Sequence, residues 1–241
     1  MQKNKIISQL SEYAQNKLRA CANEISMTVY ETICESGAPV EFVYFPISGY
    51  LSVIQELDER QSIEVGLVGC EGYLGGELVV GLKNNPFKVV VQGEGLAWRL
   101  GAQDFLKIIK ENQEIKTTAD RYCGFRLRQL GLSIACGHFH GIQARLAKWI
   151  LMSQDRSESN EIVMTQEFIS LMLGVRRVGI SGIASEFRKK GLIDYTRGVL
   201  RVLNRVELER LACSCYEREK ELHFQSLFHQ VSRPIHDGEV L

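Results

Sequence analysis

The stretch Met164–Lys190 restricts the possible fold of this chain more than any other part of its 241 residues. Thr165 is a suitable N-cap for a first short helix, and Gly174 lies where the chain must turn without the steric cost of a Cβ atom. A second helix is predicted over Arg176–Lys190, because apolar residues recur there at helical spacing and Gly191 follows. These apolar residues are Ile180, Ile183, Ala184 and Phe187. The pattern predicts a helix-turn-helix.

The opposite face of the second helix carries arginines and small residues, which suit a DNA major groove better than protein packing. Apolar residues on both sides of Thr196-Arg197-Gly198 predict a β-hairpin wing over Leu192–Asn204. Eight Lys/Arg against two acids give residues 176–205 a charge of +6, whereas the whole chain is neutral. The alternative is a helical hairpin with a solvated basic face. The candidate DNA-binding residues are Arg176, Arg177, Val178, Ser181, Gly182, Ser185, Arg188 and the wing residue Arg197.

The composition is that of an ordinary globular protein with one large or two modest domains. No apolar run approaches the roughly 20 residues that span a bilayer, and the N-terminus lacks the apolar core of a signal peptide. The seven cysteines are scattered, and Cys213-x-Cys215 lacks the usual two-residue spacing of a metal knuckle. We therefore expect a protein of the reducing cytoplasm with unpaired thiols.

Short β-rich runs separated by turn signals fill residues 26–100, after an amphipathic helical segment over residues 1–24. Such spacing predicts a jelly-roll or sandwich. Helical periodicity returns from about Asp104, and residues 112–152 are predicted to form one long helix or two in tandem. Ser153–Glu161 is predicted to be a loop, and residues 217–241 a short helix that frays into disorder.

The long helix carries a seam of residues at alternating spacings of three and four, which is typical of helix pairing. Its members are Cys123, Leu127, Leu130, Ile134, Gly137 and Gly141. Glycine within a helix costs about 1 kcal/mol relative to alanine, so these glycines need a reason. Close approach of a partner helix is one, and a hinge near Gly137–Gly141 is the other. The alternative is an amphipathic helix that lies on its own barrel.

The order of helix, jelly-roll, seam helix and winged helix-turn-helix resembles the Crp–Fnr family of bacterial transcription regulators over about residues 8–216. The motifs that carry the resemblance are the Met164–Asn204 module, the gapless segment Asn112–Ala147, the strand motif Val43-Tyr44-Phe45-Pro46-x-Ser48-Gly49 and the cassette Gly72-x-x-x-Gly76-Glu77-Leu78. The resemblance implies a homodimer on a near-palindromic operator and a signal received in the barrel. Its implied partners are double-stranded DNA and RNA polymerase.

The implied architecture is α+β: a jelly-roll domain over residues 1–137 that includes a dimerisation helix (about 112–137), a winged helix-turn-helix domain over 138–216, and a tail over 217–241. The resemblance assigns Arg177 to base reading. Val178 and Gly182 replace a glutamate and an arginine of the family's best-known member, so a different operator is expected. The implied dimerisation residues are Cys123, Leu127, Leu130, Ile134 and Gly137.

The cyclic-nucleotide binders of this family hold the ribose with a glutamate, the cyclic phosphate with an Arg-Ser pair and the adenine with a Thr-Ser pair. Glu77 is retained here, whereas Phe87-Lys88 or Asn85-Pro86 replaces Arg-Ser, and Leu130-Gly131 replaces Thr-Ser. Lysine is a poor geometric substitute for a bidentate arginine. We therefore expect an effector other than cyclic AMP, its identity unknown. The alternative is a cyclic-nucleotide-responsive regulator that uses Glu77 and Lys88. The candidate effector residues are Gly76, Glu77, Leu78, Lys88 and Leu130.

A barrel enzyme, a metal-binding protein and a pure interaction module are the other functions that the sequence could suggest. A cupin-like barrel enzyme needs metal-binding histidines on barrel strands, but all five histidines lie outside residues 26–100. Cys136, His138 and His140 are at successive steps of two residues, so they cannot share one helix face, and no metal site or other cofactor is predicted. A pure interaction module remains compatible with the barrel but leaves Arg177 unexplained. The prediction is a regulator without enzymatic activity.

Overall fold

Two antiparallel sheets form the N-terminal half of the protein. The computed structural model describes residues 3–58, 61–157 and 159–228. One sheet has the strand order β1-β7-β3 and the other β2-β6-β4-β5. The strands are β1 (Ala22–Met27), β2 (Thr32–Cys34), β3 (Phe42–Pro46), β4 (Tyr50–Asp58), β5 (Gln61–Val68), β6 (Lys88–Gly93) and β7 (Gly95–Gly101). The predicted jelly-roll domain is confirmed.

The start of the barrel differs from its prediction. Ser11 is the N-cap of helix α1 (Glu12–Cys21), and its side chain accepts a hydrogen bond from the Ala14 amide. It ends early because Ala22–Met27 pairs in register with β7, so the last predicted helical residues belong to a strand. The first β-rich run of residues 26–100, Met27–Cys34, is also not one strand, since the chain turns at Tyr30, which has a φ of 69°. Pairing partners far along the chain override the local helical pattern.

Residues 102–156 form three helices in succession: α2 (Ala102–Glu111), α3 (Gln113–Phe139) and α4 (Ile142–Arg156). The Asn112 side chain caps α3 by accepting from the Ile115 amide. His140 and Gly141 are extended and separate α3 from α4, so two tandem helices meet at the position predicted for a hinge. Helix α4 runs into the segment predicted to be a loop, because Ser153 is fully buried against the core.

The C-terminal half is helical with a small sheet of order β8-β10-β9. Its elements are β8 (Glu161–Val163), α5 (Gln166–Leu173), α6 (Arg177–Lys189), β9 (Ile193–Thr196), β10 (Val199–Val202), α7 (Arg205–Leu211) and α8 (Cys215–Phe228). Strand β8 pairs with β10 and is a third strand that periodicity did not predict. Residues 217–228 are part of the 14-residue α8, which packs against α3, whereas the predicted disorder of 229–241 lies outside the described residues.

One hydrophobic core joins the two halves. Tyr50, Ile54 and Leu67 of the barrel belong to the same buried cluster as α4, α5 and α6. A second core lies between α1, α2, α3 and the barrel, and a third fills the space between the two sheets. No single helix among the described residues is long and apolar enough to cross a membrane; α5 and α6 pass that test only as a pair bent by 113°.

Candidate nucleic-acid interface and barrel cavity

The helix-turn-helix is held in place by local interactions that the sequence predicted. The Thr165 hydroxyl accepts from the Phe168 amide at the start of α5, and Gly174 adopts a φ of 63° at its end. That left-handed conformation favours glycine over residues that carry a Cβ. On α6, the Ile180 and Phe187 side chains are fully buried. The orientation of α6 relative to α5 is therefore fixed by a cap, a turn glycine and a shared core.

The outer face of α6 is open to solvent. Arg176 is the N-cap residue, Arg177 begins the helix, and both are exposed. Val178 is 83% exposed, so its methyl groups are open to a partner. Gly182, Ser185 and Arg188 continue the exposed face. An exposed helix N-terminus with cationic side chains suits an anionic partner such as DNA.

Two of the candidate DNA-binding residues have partners within the protein. The Ser181 hydroxyl lies 2.6 Å from Gln166 Oε1 and 3.2 Å from the Arg177 carbonyl oxygen, so it links α6 to α5. Arg188 Nε lies 3.3 Å from Asp194 Oδ1, in an exposed ion pair that a phosphate can replace at little cost. The Ser181 hydroxyl, a candidate DNA contact, is therefore already engaged by hydrogen bonds within the protein.

The wing turns through Arg197 and Gly198, with φ values of 52° and 80°. Thr196 pairs with Val199, so these two residues alone form the hairpin loop. Positive φ at both central residues is the signature of a type I′ turn, which matches the twist of a hairpin. The exposed Arg197 side chain therefore sits at the tip of the wing, as the sequence predicted.

The barrel encloses a cavity of about 170 Å³ between its strands, the 3₁₀ helix Gly76–Val80 and α3. The lining is mainly apolar and includes Val53, Val68, Leu74, Phe87, Val89 and Leu130. Small-molecule pockets commonly measure about 300–1,000 Å³, so this cavity is small for a nucleotide. Of the candidate effector residues, Gly76, Glu77 and Leu130 line it.

The polar groups of the cavity are few. Glu77 Oε2 is buried and has no hydrogen-bond partner among the described residues. Asn85 lines the cavity but donates its side-chain amide to the carbonyl oxygens of Ala38 and Pro39. Arg126 lies at the cavity wall, and its guanidinium donates to the Gln129 side chain. A ligand that donates a hydrogen bond would therefore find an open acceptor at Glu77.

Two candidate effector residues do not belong to the cavity lining. The Lys88 ammonium lies 3.3 Å from Glu35 and 3.7 Å from Glu56, in a strand whose next residue, Val89, faces the cavity. Because successive side chains of a strand point to opposite faces, Lys88 faces away from the ligand space. Leu78 is buried in the core beneath the cavity. The prediction that Lys88 and Leu78 contact the effector is therefore wrong, because neither side chain lines the cavity.

The predicted seam of α3 is largely an exposed apolar stripe. Leu127 is 71% exposed and Ile134 is 75% exposed, while Leu130 is half-buried and Gly137 is exposed. Cys123 is different, since its thiol lies 3.4 Å from the Gly76 carbonyl oxygen and helps to line the cavity. Cys123 therefore faces the barrel, because the first part of α3 packs there, and the seam begins at Leu127.

Helix α4 is fastened to the barrel by buried polar contacts. Trp149 Nε1 donates to Glu64 Oε1 at 2.9 Å, and the Ser52 hydroxyl donates to Glu64 Oε2 at 2.6 Å. At the other end of α4, Arg156 Nε lies 2.6 Å from Glu71 Oε1. Burial acts to raise the pKa of Glu71, but Arg156 and neighbouring backbone amides outweigh it and hold that pKa below its ordinary value.

Sequence reasoning missed the role of α8. Glu219 is buried, accepts a hydrogen bond from Gln129 Nε2 at 2.7 Å and lies 3.4 Å from Lys148 Nζ. His223 Nε2 lies 2.9 Å from the Glu71 carbonyl oxygen, at the barrel. Helix α8 thus contacts α3, α4 and the barrel. Tyr216, Leu222 and Leu227 of α8 also pack against the hydrophobic cores. The polar contacts had no signal in the sequence, because their partners lie far away along the chain.

A second group missed by the sequence lies at the break between α3 and α4. The side-chain donor atoms of Cys136, His140, Cys213 and Cys215 all lie within 4.8 Å of one another. Residues four apart on a helix share a face, so Cys136 and His140 meet there, while His138 is exposed and contacts Phe139. The prediction that no metal site exists was based on Cys136, His138 and His140 alone. It left out Cys213 and Cys215, which the fold brings to the same place.

Comparison with known proteins identifies both domains. Residues 27–112 match the family model of the cyclic nucleotide-binding domain, and residues 144–211 match that of the Crp-like helix-turn-helix domain. Together the two models cover more than half of the chain. A search of curated proteins by sequence gives no match.

Solved structures agree in fold. A protein described as a crp/fnr-family transcriptional regulator from Eubacterium rectale superposes with a TM-score of 0.66 at 16% identity, over 88% of this chain and 99% of that one. FixK2 from Bradyrhizobium japonicum superposes with a TM-score of 0.67 at 16% identity, over 80% and 98%. A CRP-family transcriptional regulator from Thermus thermophilus gives 0.66 at 20% identity, over 78% and 96%. With a cyclic nucleotide-binding-like barrel, a long central helix and a Crp-like helix-turn-helix in one chain, the protein belongs to the Crp–Fnr family of transcription regulators.

Proposed function

We propose that this regulator is a homodimer that binds a near-palindromic DNA operator through α6 and responds to a signal in its barrel. The observation that carries the proposal is the open, cationic N-terminal face of α6, set by a capped and glycine-terminated α5. The net local charge of +6 over residues 176–205 supports an anionic partner. Action in the cytoplasm with RNA polymerase as a partner is part of the same proposal.

The reading and the positioning of DNA are assigned to different residues. Arg177, at the first turn of α6, can donate two hydrogen bonds to O6 and N7 of a guanine. The exposed Val178 beside it can contact a thymine methyl group. Arg176, Arg188 and the wing-tip Arg197 contact phosphates, which carry no sequence information. Gly182 and Ser185 allow the helix to approach the groove closely, and Ser181 steadies α6 through Gln166.

The test is selection from random duplexes, followed by affinity measurements over a range of salt concentrations. We expect half-sites about 10 base pairs apart, since the two α6 helices of a two-fold dimer must enter successive major grooves. Arg177→Ala should cost about 1–3 kcal/mol and relax the preference at one guanine per half-site. Arg197→Ala should weaken binding to all sequences alike and reduce the salt slope by about one.

The control is Arg19→Ala, which removes one exposed positive charge from α1 in the barrel domain. It should leave both the motif and the salt slope unchanged. If Arg177→Ala selects the wild-type motif at the wild-type affinity, the assignment of base reading to Arg177 is wrong. Failure of the wild-type protein to enrich any motif would contradict the proposed function itself.

The effector proposed for the barrel is a small, mainly apolar molecule with a hydrogen-bond donor for Glu77, rather than cyclic AMP. The apolar lining and the volume of about 170 Å³ support this, as does the free Glu77 Oε2. The engagement of Lys88 by Glu35 and Glu56 disfavours the alternative of a cyclic phosphate held by Lys88.

Calorimetry distinguishes these effectors. Titration of the protein with cyclic AMP should give no specific binding, because each buried ligand group left unpaired costs about 1–3 kcal/mol. Glu77→Gln is the matched variant, since it keeps the shape of the side chain and removes its charge. A saturable cyclic AMP isotherm that Glu77→Gln abolishes would reinstate the cyclic-nucleotide alternative.

A further inference from the structure

Three cysteines and one histidine meet where the seam helix gives way to the DNA-binding half. Cys136 lies in the last turn of α3, and His140 follows it at the break before α4. Cys213 comes from the short link between α7 and α8, and Cys215 is the first residue of α8. The link is held against α4 by a 3.4 Å hydrogen bond from the Cys213 amide to the Ala144 carbonyl oxygen. Two segments more than 70 residues apart thus converge on one point.

The distances between the donor atoms suit a single ion. Cys136 Sγ lies 3.5 Å from Cys213 Sγ, and Cys215 Sγ lies 3.5 Å from His140 Nδ1. A tetrahedral zinc ion with Zn–S of about 2.3 Å and Zn–N of about 2.0–2.1 Å holds its ligand atoms about 3.5–3.8 Å apart. All four donor atoms already lie within 4.8 Å of one another. An iron–sulfur cluster would need them farther apart, because its own atoms fill the space between.

We propose that Cys136, His140, Cys213 and Cys215 form a structural zinc site of the Cys₃His type. Three thiolates and an imidazole are soft ligands, and they favour Zn²⁺ over the oxygen-seeking Mg²⁺ and Ca²⁺. Four protein ligands leave no open coordination position, so the site is structural and not catalytic.

The surroundings complement the charge of such a site. Zinc with three thiolates carries a net charge of −1. Lys148 is only 8% exposed and interacts electrostatically with all three cysteines. Leu132 and Ala144 pack against the cluster and exclude water from one side. Lys148 pairs with Glu219 at 3.4 Å, and its remaining positive field complements an anionic, metal-bound cluster.

The bound ion would fasten α8 and its link to the break between α3 and α4. That break is the joint through which the position of the DNA-binding half is set relative to the seam helix. Zinc would therefore hold this joint in the arrangement seen here. The site does not rest on the proposed operator or effector, because it is defined by its ligands alone.

The experiment is metal analysis of the full-length protein, purified under reducing conditions. We expect about one equivalent of zinc per chain. After zinc is exchanged for Co²⁺, the protein should show the thiolate-to-cobalt charge transfer and intense visible bands of a tetrahedral sulfur-rich site. Cys215→Ser and His140→Ala should lose the ion or shift these bands. Cys70→Ser is the matched control, because Cys70 lies in the barrel away from the cluster, and it should bind metal as the wild type does.

Cys215→Ser and His140→Ala change two different segments of the chain, so a folding defect in one variant leaves the other as a test. The wild-type protein itself decides the outcome by Co²⁺ titration in competition with a chelator. The proposal is overturned if the reduced wild type binds Co²⁺ no more tightly than Cys215→Ser. It is also overturned if the thiols of Cys136 and Cys213 are found in a disulfide and the reduced protein holds no metal, which would make them a redox pair.

Discussion

At the scale of single residues, Glu64 is a carboxyl enclosed between β5 and α4. Burial raises its pKa from 4.5 to about 7, although the hydrogen bonds from Ser52 and Trp149 act to lower it. In the unfolded chain Glu64 is ionised above pH 4.5, whereas in the folded protein it keeps its proton up to about pH 7. Its contribution to stability is therefore fully present below pH 4.5 and is lost as the pH rises through about 7.

We predict that Glu64→Gln flattens the pH dependence of stability. Between pH 4.5 and about 7 the wild type should lose up to about 3 kcal/mol that the variant keeps, because glutamine carries no ionisable proton. Glutamine can still accept from Trp149 and donate to the Ser52 hydroxyl. Urea denaturation at about pH 5 and about pH 8 measures the difference, with the exposed Glu24→Gln as the control. Equal pH slopes in the wild type and Glu64→Gln would refute the assignment.

At the scale of elements, α8 is held by a buried ionic network in addition to the apolar packing of Tyr216, Leu222 and Leu227. Glu219 lies between Lys148 and Arg156, at 3.4 and 3.7 Å, and Gln129 donates to it. Removing one partner of a buried pair leaves an uncompensated charge, which is costlier than the loss of an exposed pair. A single carboxylate of α8 therefore serves three polar partners.

Glu219→Ala should lower the free energy of unfolding by about 3–5 kcal/mol, because the buried Lys148 loses its carboxylate partner and Arg156 keeps only Glu71. Glu217→Ala is the control on the same helix, since Glu217 forms only an exposed pair with Lys220, and it should change stability by no more than about 1 kcal/mol. Thermal and urea unfolding measure both variants. If the two substitutions cost the same, α8 is not anchored by Glu219.

At the scale of the whole molecule, the apolar stripe of α3 is the surface through which two chains are expected to pair. Leu127 and Ile134 expose most of their side chains in the single chain. Leu130 belongs both to this seam and to the cavity lining. A partner chain on the stripe would therefore touch a residue that also lines the barrel cavity.

Ile134→Glu should convert the dimer to a monomer, because two-fold symmetry places two like charges against each other at the seam. Ile134 is 75% exposed, so the folded single chain should tolerate the change. Tyr13→Glu is the control, as it introduces the same charge at an exposed aromatic residue of α1. Sedimentation at matched concentrations is the measurement. A variant that sediments as a dimer would show that the seam lies elsewhere.

The sequence alone determined the elements whose causes are local. A capping threonine, a glycine at a left-handed turn and apolar residues at helical spacing are properties of adjacent residues, so the helix-turn-helix and its wing hairpin could be predicted. The exposed side of α6 followed from the same periodicity. The Crp–Fnr domain order was recognisable from its resemblance to that family in element order and motifs.

Tertiary structure decided everything that depends on distant partners. Lys88 faces Glu35 and Glu56, and not the cavity, because strand alternation and register set its direction. Cys123 faces the barrel and not the seam, and α8 is anchored in part by buried polar contacts whose partners are distant in sequence. The cluster of Cys136, His140, Cys213 and Cys215 is the clearest case. Spacing along the chain limits which ligands one helix can offer, but only the fold brings a second segment to meet them.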